Sequence, residues 1–207
     1  MENIKTTKVD VNEVVLQGKI VHKYVVDKAT LLTINTGRAT LVPNYPKVVF
    51  FGAGKDEAAK YNTGDNVRIV GNIQSSKRNP NIKNQQTISI FGEEITAAET
   101  QFEKDFGIPG VYAIPVNHFK LAGTITEVNI PNKNNVTLVV KTMKNGHVSY
   151  VKLVHFTKNP EQIIGKYLPG EYVCVSGLVQ TSKLERNGEP VYLQSYIANE
   201  IRRPTEA

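Results

Sequence analysis

The chain has 207 residues, of which 40% are hydrophobic and 21% charged, and carries a formal net charge of +6 at neutral pH. That length suits one or two domains of ordinary size. A mean hydropathy of −0.28, with no run of about 18 apolar residues, excludes a membrane-spanning helix, and the N-terminal stretch from Met1 to Val14 lacks the apolar core of a secretory signal. The single cysteine, Cys174, excludes a disulfide within the chain and fits a cytoplasmic protein. The histidines (His22, His118, His147, His155) are scattered, which argues against a zinc site, and no metal or cofactor is expected. A pI of about 9.3 favours an anionic partner.

In chain order, the first strand is expected at about 13–24, the second at 29–36 and the third at 46–52. A short helical piece follows from Gly54 to Tyr61. A fourth strand at 66–75 shows the half-buried alternation Val67-x-Ile69-x-Gly71-x-Ile73, and a fifth lies at 86–95. Residues 99–115 begin with helical character at Glu99 and end in Pro109-Gly110, as a connector would. On a helix, Phe102 and Phe106 share one face, which suits packing on a neighbouring barrel. Further strands are expected at 118–128, 135–142, 149–156, 172–181 and 191–201. A helix from Asn159 to Tyr167, opened by Pro160, precedes the last two.

These two sets are one pattern written twice. The segment Tyr61 to Lys77 reads against Tyr167 to Lys183 without a gap, repeating Tyr, Gly, an acid, Val, Gly, Gln, Ser and Lys in place. Upstream, Val11 to Ile20 matches Val116 to Ile125, and Tyr45 to Phe51 matches Tyr150 to Phe156, at an offset shorter by one residue. Five strands with a helix between the third and fourth is the order of the OB-fold. The fold class is therefore all-β, with two tandem five-stranded OB-fold barrels. The expected division is residues 1–98 for the first, 99–115 for the connector and 116–207 for the second.

Strand side chains alternate between two faces. In the third strand, one face carries Tyr45, Lys47, Val49 and Phe51, and the other Val48 and Phe50. In the second repeat the faces are Tyr150, Lys152, Val154 and Phe156 against Val151, Leu153 and His155. A lysine does not fit the core of a small barrel, so the first face must point outward, with His155 then falling on the inner face or marking an outward register. A cation flanked by two rings on a barrel surface suits single-stranded nucleic acid, whose bases stack on rings while its phosphates meet cations. Between the fourth and fifth strands, Ser75 to Gln86 contains Lys77, Arg78 and Lys83 and no acid. The equivalent Ser182 to Pro190 holds Lys183 and Arg186 among acids, with an Asn187-Gly188 turn signal. This hairpin overhangs the ligand groove of an OB-fold, so the first copy is expected to bind more tightly, unless both copies act on one strand. Lys23, Tyr24 and Lys28, and Lys133 in the second copy, are weaker candidates.

The blocks Val11-Asn12-x-Val14-x-Leu16-x-Gly18-x-Ile20, Lys47 to Gly52 followed by Tyr61, and Val67-x-Ile69-x-Gly71 resemble the bacterial single-stranded DNA-binding protein family, and two copies per chain resemble its tandem-barrel members. The resemblance implies that Tyr45 and Tyr150 stand where the family has a base-stacking tryptophan. Lys47 and Lys152 stand at its basic position, and Phe51 and Phe156 at its stacking phenylalanine. A further family tryptophan falls on Arg78, which can still stack, and on Leu184, which cannot. The family's acidic C-terminal tail has no counterpart before Ala207, so recruitment of partners through a tail is not expected; a phage or plasmid origin would account for that.

The expected function is non-sequence-specific binding and protection of single-stranded DNA during replication, recombination or repair, by a monomer or homodimer that works beside other replication or recombination proteins and uses no membrane. Two barrels would cover roughly 8–32 nucleotides. Catalysis is not expected: the chain has no phosphate-binding loop, nucleophile elbow or zinc-protease motif. The competing expectation is an RNA-binding or protein-docking OB module of a replication complex.

Overall fold

The computed structural model of the protein describes residues 9–37, 44–76, 88–98, 100–102, 111–186 and 189–204; for 100–102, 111–113, 186 and 189–191 the description is of the backbone. The first repeat contains β1 (Val11–Val26), β2 (Ala29–Asn35), β3 (Lys47–Phe51), helix α1 (Ala53–Ala59), β4 (Asn66–Ser75) and β5 (Ile88–Ala97). Two short strands follow, β6 (Thr100–Phe102) and β7 (Val111–Ala113). The second repeat contains β8 (Val116–Asn132), β9 (Asn135–Lys144), β10 (His147–Phe156), helix α2 (Pro160–Lys166), β11 (Tyr172–Arg186) and β12 (Glu189–Arg202).

Each repeat closes on itself. β1 pairs with β2, β2 with β3, β3 in parallel with β5, β5 with β4, and β4 returns to β1. The second repeat runs the same circuit through β8, β9, β10, β12 and β11. Closure removes free sheet edges and puts alternate side chains inside. Leu16, Ile20, Leu32, Ile34, Ile69, Ile73 and Ile90 fill the first barrel, and Phe119, Leu121, Ile125, Leu138, Val140 and Tyr196 fill the second. Both circuits turn at a bulge, where the register shifts between Val70 and Gly71 and between Ser176 and Gly177. A Cβ on Gly177 would stand 1.9 Å from the Ile197 carbonyl oxygen, and one on Gly71 2.2 Å from that of Phe91, so only glycine allows this approach.

The two barrels join through their first strands. β1 and β8 pair antiparallel with Val14 opposite Phe119, its own equivalent in the second repeat, so a pseudo-twofold axis passes between those residues. The result is one ten-stranded sheet.

Two local readings differ from the sequence expectation, and a third decides between the two places left open for His155. The connector begins with a strand, not a helix: β6 pairs with β7, with Phe102 opposite Val111, and this pairing satisfies backbone groups that an isolated short helix would leave marginal; Phe106 lies outside the described residues. The stretch expected as a loop from Ser182 is a two-stranded ribbon, because β11 and β12 stay paired out to Arg186 opposite Glu189. His155 does take the inner side of its strand, half-buried, with Nδ1 2.8 Å from the Ala198 carbonyl oxygen. Its repeat equivalent Phe50 is fully buried against Gly92, where a Cβ would come within 2.2 Å of the Phe50 ring. The smaller imidazole faces Ala198 where the larger benzyl ring requires glycine.

Candidate nucleic-acid interface

β3 and the residues leading into it alternate as a barrel wall must. Val48 and Phe50 are buried, whereas Lys47 is exposed and Phe51 is 47% exposed. Tyr45 and Val49, on the outer side, are half-buried. β10 repeats the arrangement: Val151 and Leu153 are buried, Lys152 is exposed, and Tyr150 and Phe156 are 39% and 58% exposed. Each barrel therefore presents a ring, an ammonium group and a second ring along one outward row.

The outer face of the first barrel is wider than that row. β3 and β5 run parallel with Val49 beside Phe91, and the Phe51 and Phe91 rings lie 5.3 Å apart with their planes tilted by 30°. Leu31 of β2 lies opposite Val49, and the exposed Tyr24 of β1 lies opposite Leu31. Tyr24, Leu31, Val49 and Phe91 thus form a second row crossing four strands. In the second barrel the equivalent row is Asn129, Thr137, Val154 and Ile197, which has no ring. Phe91 was not singled out from the sequence. Its signal was the parity of β5: Ile90 points inward, so Phe91 must point outward.

Hydrogen bonds tie each outer row to the other barrel. The Tyr45 backbone N–H donates to Thr181 Oγ1 at 2.8 Å, and the Tyr150 N–H donates to Ser75 Oγ at 2.9 Å, so the two repeats make the same exchange in opposite directions. Asn44 strengthens the first of these links. Its Nδ2 donates to the Val179 carbonyl at 2.6 Å, and its Oδ1 accepts from the Thr181 N–H at 2.7 Å. The Lys47 N–H donates to Gln194 Oε1 at 2.8 Å. A salt bridge of 2.6 Å between Lys144 and Glu93 adds a further tie between the barrels.

The remaining candidates fall in different places. Lys77, Arg78 and Lys83 lie outside the described residues. Lys183 is exposed on the β11–β12 ribbon, and the backbone of Arg186 ends β11. Lys28 and Lys133 are exposed at the β1–β2 and β8–β9 turns. The Lys23 ammonium donates to the carbonyls of Ala59 and Tyr61 at 2.6 and 2.7 Å, where α1 ends, and so has a structural task. A cation there suits the negative end of a helix.

Titration is perturbed away from this face. His118, on β8 at the barrel junction, is held below its ordinary range by burial and then by the Lys120 and Arg68 charges, against the opposing pull of Glu13. Burial, with Asp10 nearby, pushes the Tyr172 hydroxyl up to about 12. Among the described residues no group of three or more His, Cys, Asp or Glu could hold a metal ion, and no described helix is long and apolar enough to cross a membrane.

No characterised sequence family and no curated protein sequence matches the chain. Solved structures do. Over 96% of this chain and 97% of the other, the fold matches a deletion variant of the single-stranded DNA binding protein from Thermus aquaticus, with a TM-score of 0.65 and 15% identity. The wild-type protein from the same organism matches over 96% of this chain and 95% of its own, with a TM-score of 0.62 and 14% identity. At such identities the likeness is one of fold, and it extends along nearly the whole length of this chain.

Proposed function

We propose that this protein binds single-stranded DNA without sequence preference and coats it during replication, recombination or repair, acting as a binding protein with no catalytic step. The observation that carries this reading is the duplicated outward row: Tyr45, Lys47 and Phe51 on one barrel over buried Val48 and Phe50, and Tyr150, Lys152 and Phe156 on the other over buried Val151 and Leu153. Unpaired bases offer their faces to such rings at roughly 1–3 kcal/mol per base, whatever the base, while the lysines meet phosphates. The full-length likeness to a single-stranded DNA binding protein supports it. In this reading residues 1–98 and 116–207 are the two binding domains, 99–115 joins them, and Lys77, Arg78, Lys83, Lys183 and Arg186 add phosphate contacts.

Titration of labelled oligo(dT) against the protein, with RNA and duplex DNA as competitors, tests it. Tight oligo(dT) binding that duplex fails to compete, and at least a roughly tenfold loss in the double variant Tyr45→Ala/Phe51→Ala, are expected. Preference for RNA, or normal binding by the double variant, would overturn the reading.

A further inference from the structure

The β11–β12 ribbon belongs to the second barrel by sequence, but its base is bonded to the first. Thr181 and Gln194 lie directly opposite each other in the ribbon, so their side chains share one face. Both side chains reach the entry of β3: Thr181 Oγ1 accepts from the Tyr45 N–H, and Gln194 Oε1 accepts from the Lys47 N–H. Strand side chains alternate with period two, so the next pair on that same face is Lys183 opposite Tyr192. One pleat of two residues advances about 7 Å along the ribbon. Lys183 is exposed and Tyr192 is 49% exposed, so a ring and an ammonium group stand together beyond the point where the ribbon grips β3. The opposite face of the ribbon carries Ser182 and Leu193.

We infer that the nucleic-acid face of the first barrel is composite: Lys183 and Tyr192 of the second barrel's ribbon form a wall beside Tyr45, Lys47 and Phe51, and a DNA strand lying on the first barrel stacks a base on Tyr192. This rests on the single-stranded DNA reading above and adds which barrel the ribbon serves. The Ser75–Tyr150 bond starts the reverse exchange from the end of β4. The ligand chemistry suits the pair, since a base takes the phenol face and the adjoining phosphate the ammonium.

The protein contains no tryptophan, so Tyr192→Trp installs a single indole whose emission reports stacking at that position. Its quenching by an oligo(dT) of about 8 nucleotides, a length one barrel can hold, is measured in two backgrounds while anisotropy of the labelled oligonucleotide reports binding independently. With the second barrel's own face removed by Tyr150→Ala/Phe156→Ala, quenching persists. With the first barrel's face removed by Tyr45→Ala/Phe51→Ala, quenching at matched saturation is lost. The reverse pattern would show the ribbon serving its own barrel and would overturn the inference, as would binding by anisotropy with no quenching in either background. Failure of the unsubstituted protein to bind oligo(dT) at all would instead overturn the function on which the inference rests. The substituted rings are exposed or, at Tyr45, half-buried, and circular dichroism checks that each variant folds.

Discussion

Asn12 and Asn117 do the same work in the two barrels. The Asn12 side chain donates to the Ile73 carbonyl at 2.7 Å and accepts from the Ile73 N–H at 2.8 Å; Asn117 donates to the Val179 carbonyl at 2.7 Å and accepts from the Val179 N–H at 2.9 Å. Each amide stands in for a strand where the ladder between the first and fourth strands of its barrel runs out, and supplies both bonds that a neighbouring backbone would have supplied.

Removing either amide leaves a backbone N–H and a carbonyl without these partners. Asn12→Ala is expected to cost about 1–3 kcal/mol, since Asn12 is buried and the lost bonds leave Ile73 groups desolvated. Asn117→Ala is expected to cost less, because Asn117 is half-buried and the Val179 carbonyl keeps its bond from Asn44, so that only the Val179 N–H loses its partner. Urea unfolding of the two variants reads the loss. Because neither side chain belongs to an outward row, oligo(dT) affinity well below the transition should stay within about twofold.

Lys47 and Lys152 stand at the same place in the two rows, each exposed between two rings. Phosphate contacts by single-stranded DNA give a dependence of log affinity on log salt of about −0.7 per neutralised phosphate. Lys47→Gln and Lys152→Gln should each make the slope shallower by about that amount, and weaken oligo(dT), oligo(dA) and mixed sequences alike. An unchanged slope in either variant would place that lysine outside the phosphate path.

His118 ties stability to pH. In the unfolded chain it titrates near 6.5, whereas in the fold burial and the Lys120 charge hold it neutral to lower pH. Between those two points the unfolded chain binds more protons than the folded one, so stability falls as pH drops below about 6.5 and is unaffected above it. Thermal unfolding from pH 7.5 to 5 should show a smaller loss for His118→Gln than for the parent. Equal losses would show that Glu13 offsets the burial.

Much of this architecture is legible along the chain because a barrel wall imposes strict alternation. The repeat, the order of strands and helix, and the outward parity of Tyr45, Lys47 and Phe51 all follow from period-two patterning around Val48 and Phe50, which the core requires to be apolar. The same parity gives Tyr150, Lys152 and Phe156, and even the place of His155 follows once Ala198 is seen where Phe50 has Gly92. Parity around Ile90 turns Phe91 outward, but that it joins the face of Phe51 depends on the parallel pairing of β3 with β5, which no local pattern states.

What the chain alone determined was each barrel; what only the tertiary structure decided was how they meet. Pairing of Val14 with Phe119, the bond from Tyr45 to Thr181 and the reach of Gln194 to Lys47 join residues far apart in sequence, and each of the three uses a main-chain N–H of the first barrel. Every residue carries the same backbone donor and acceptor, so no side-chain pattern names the partner of an N–H. The ribbon of the second barrel therefore reaches the first for a reason of geometry: pairing of β1 with β8 brings Thr181 and Gln194 within bonding distance of the Tyr45 and Lys47 main chain.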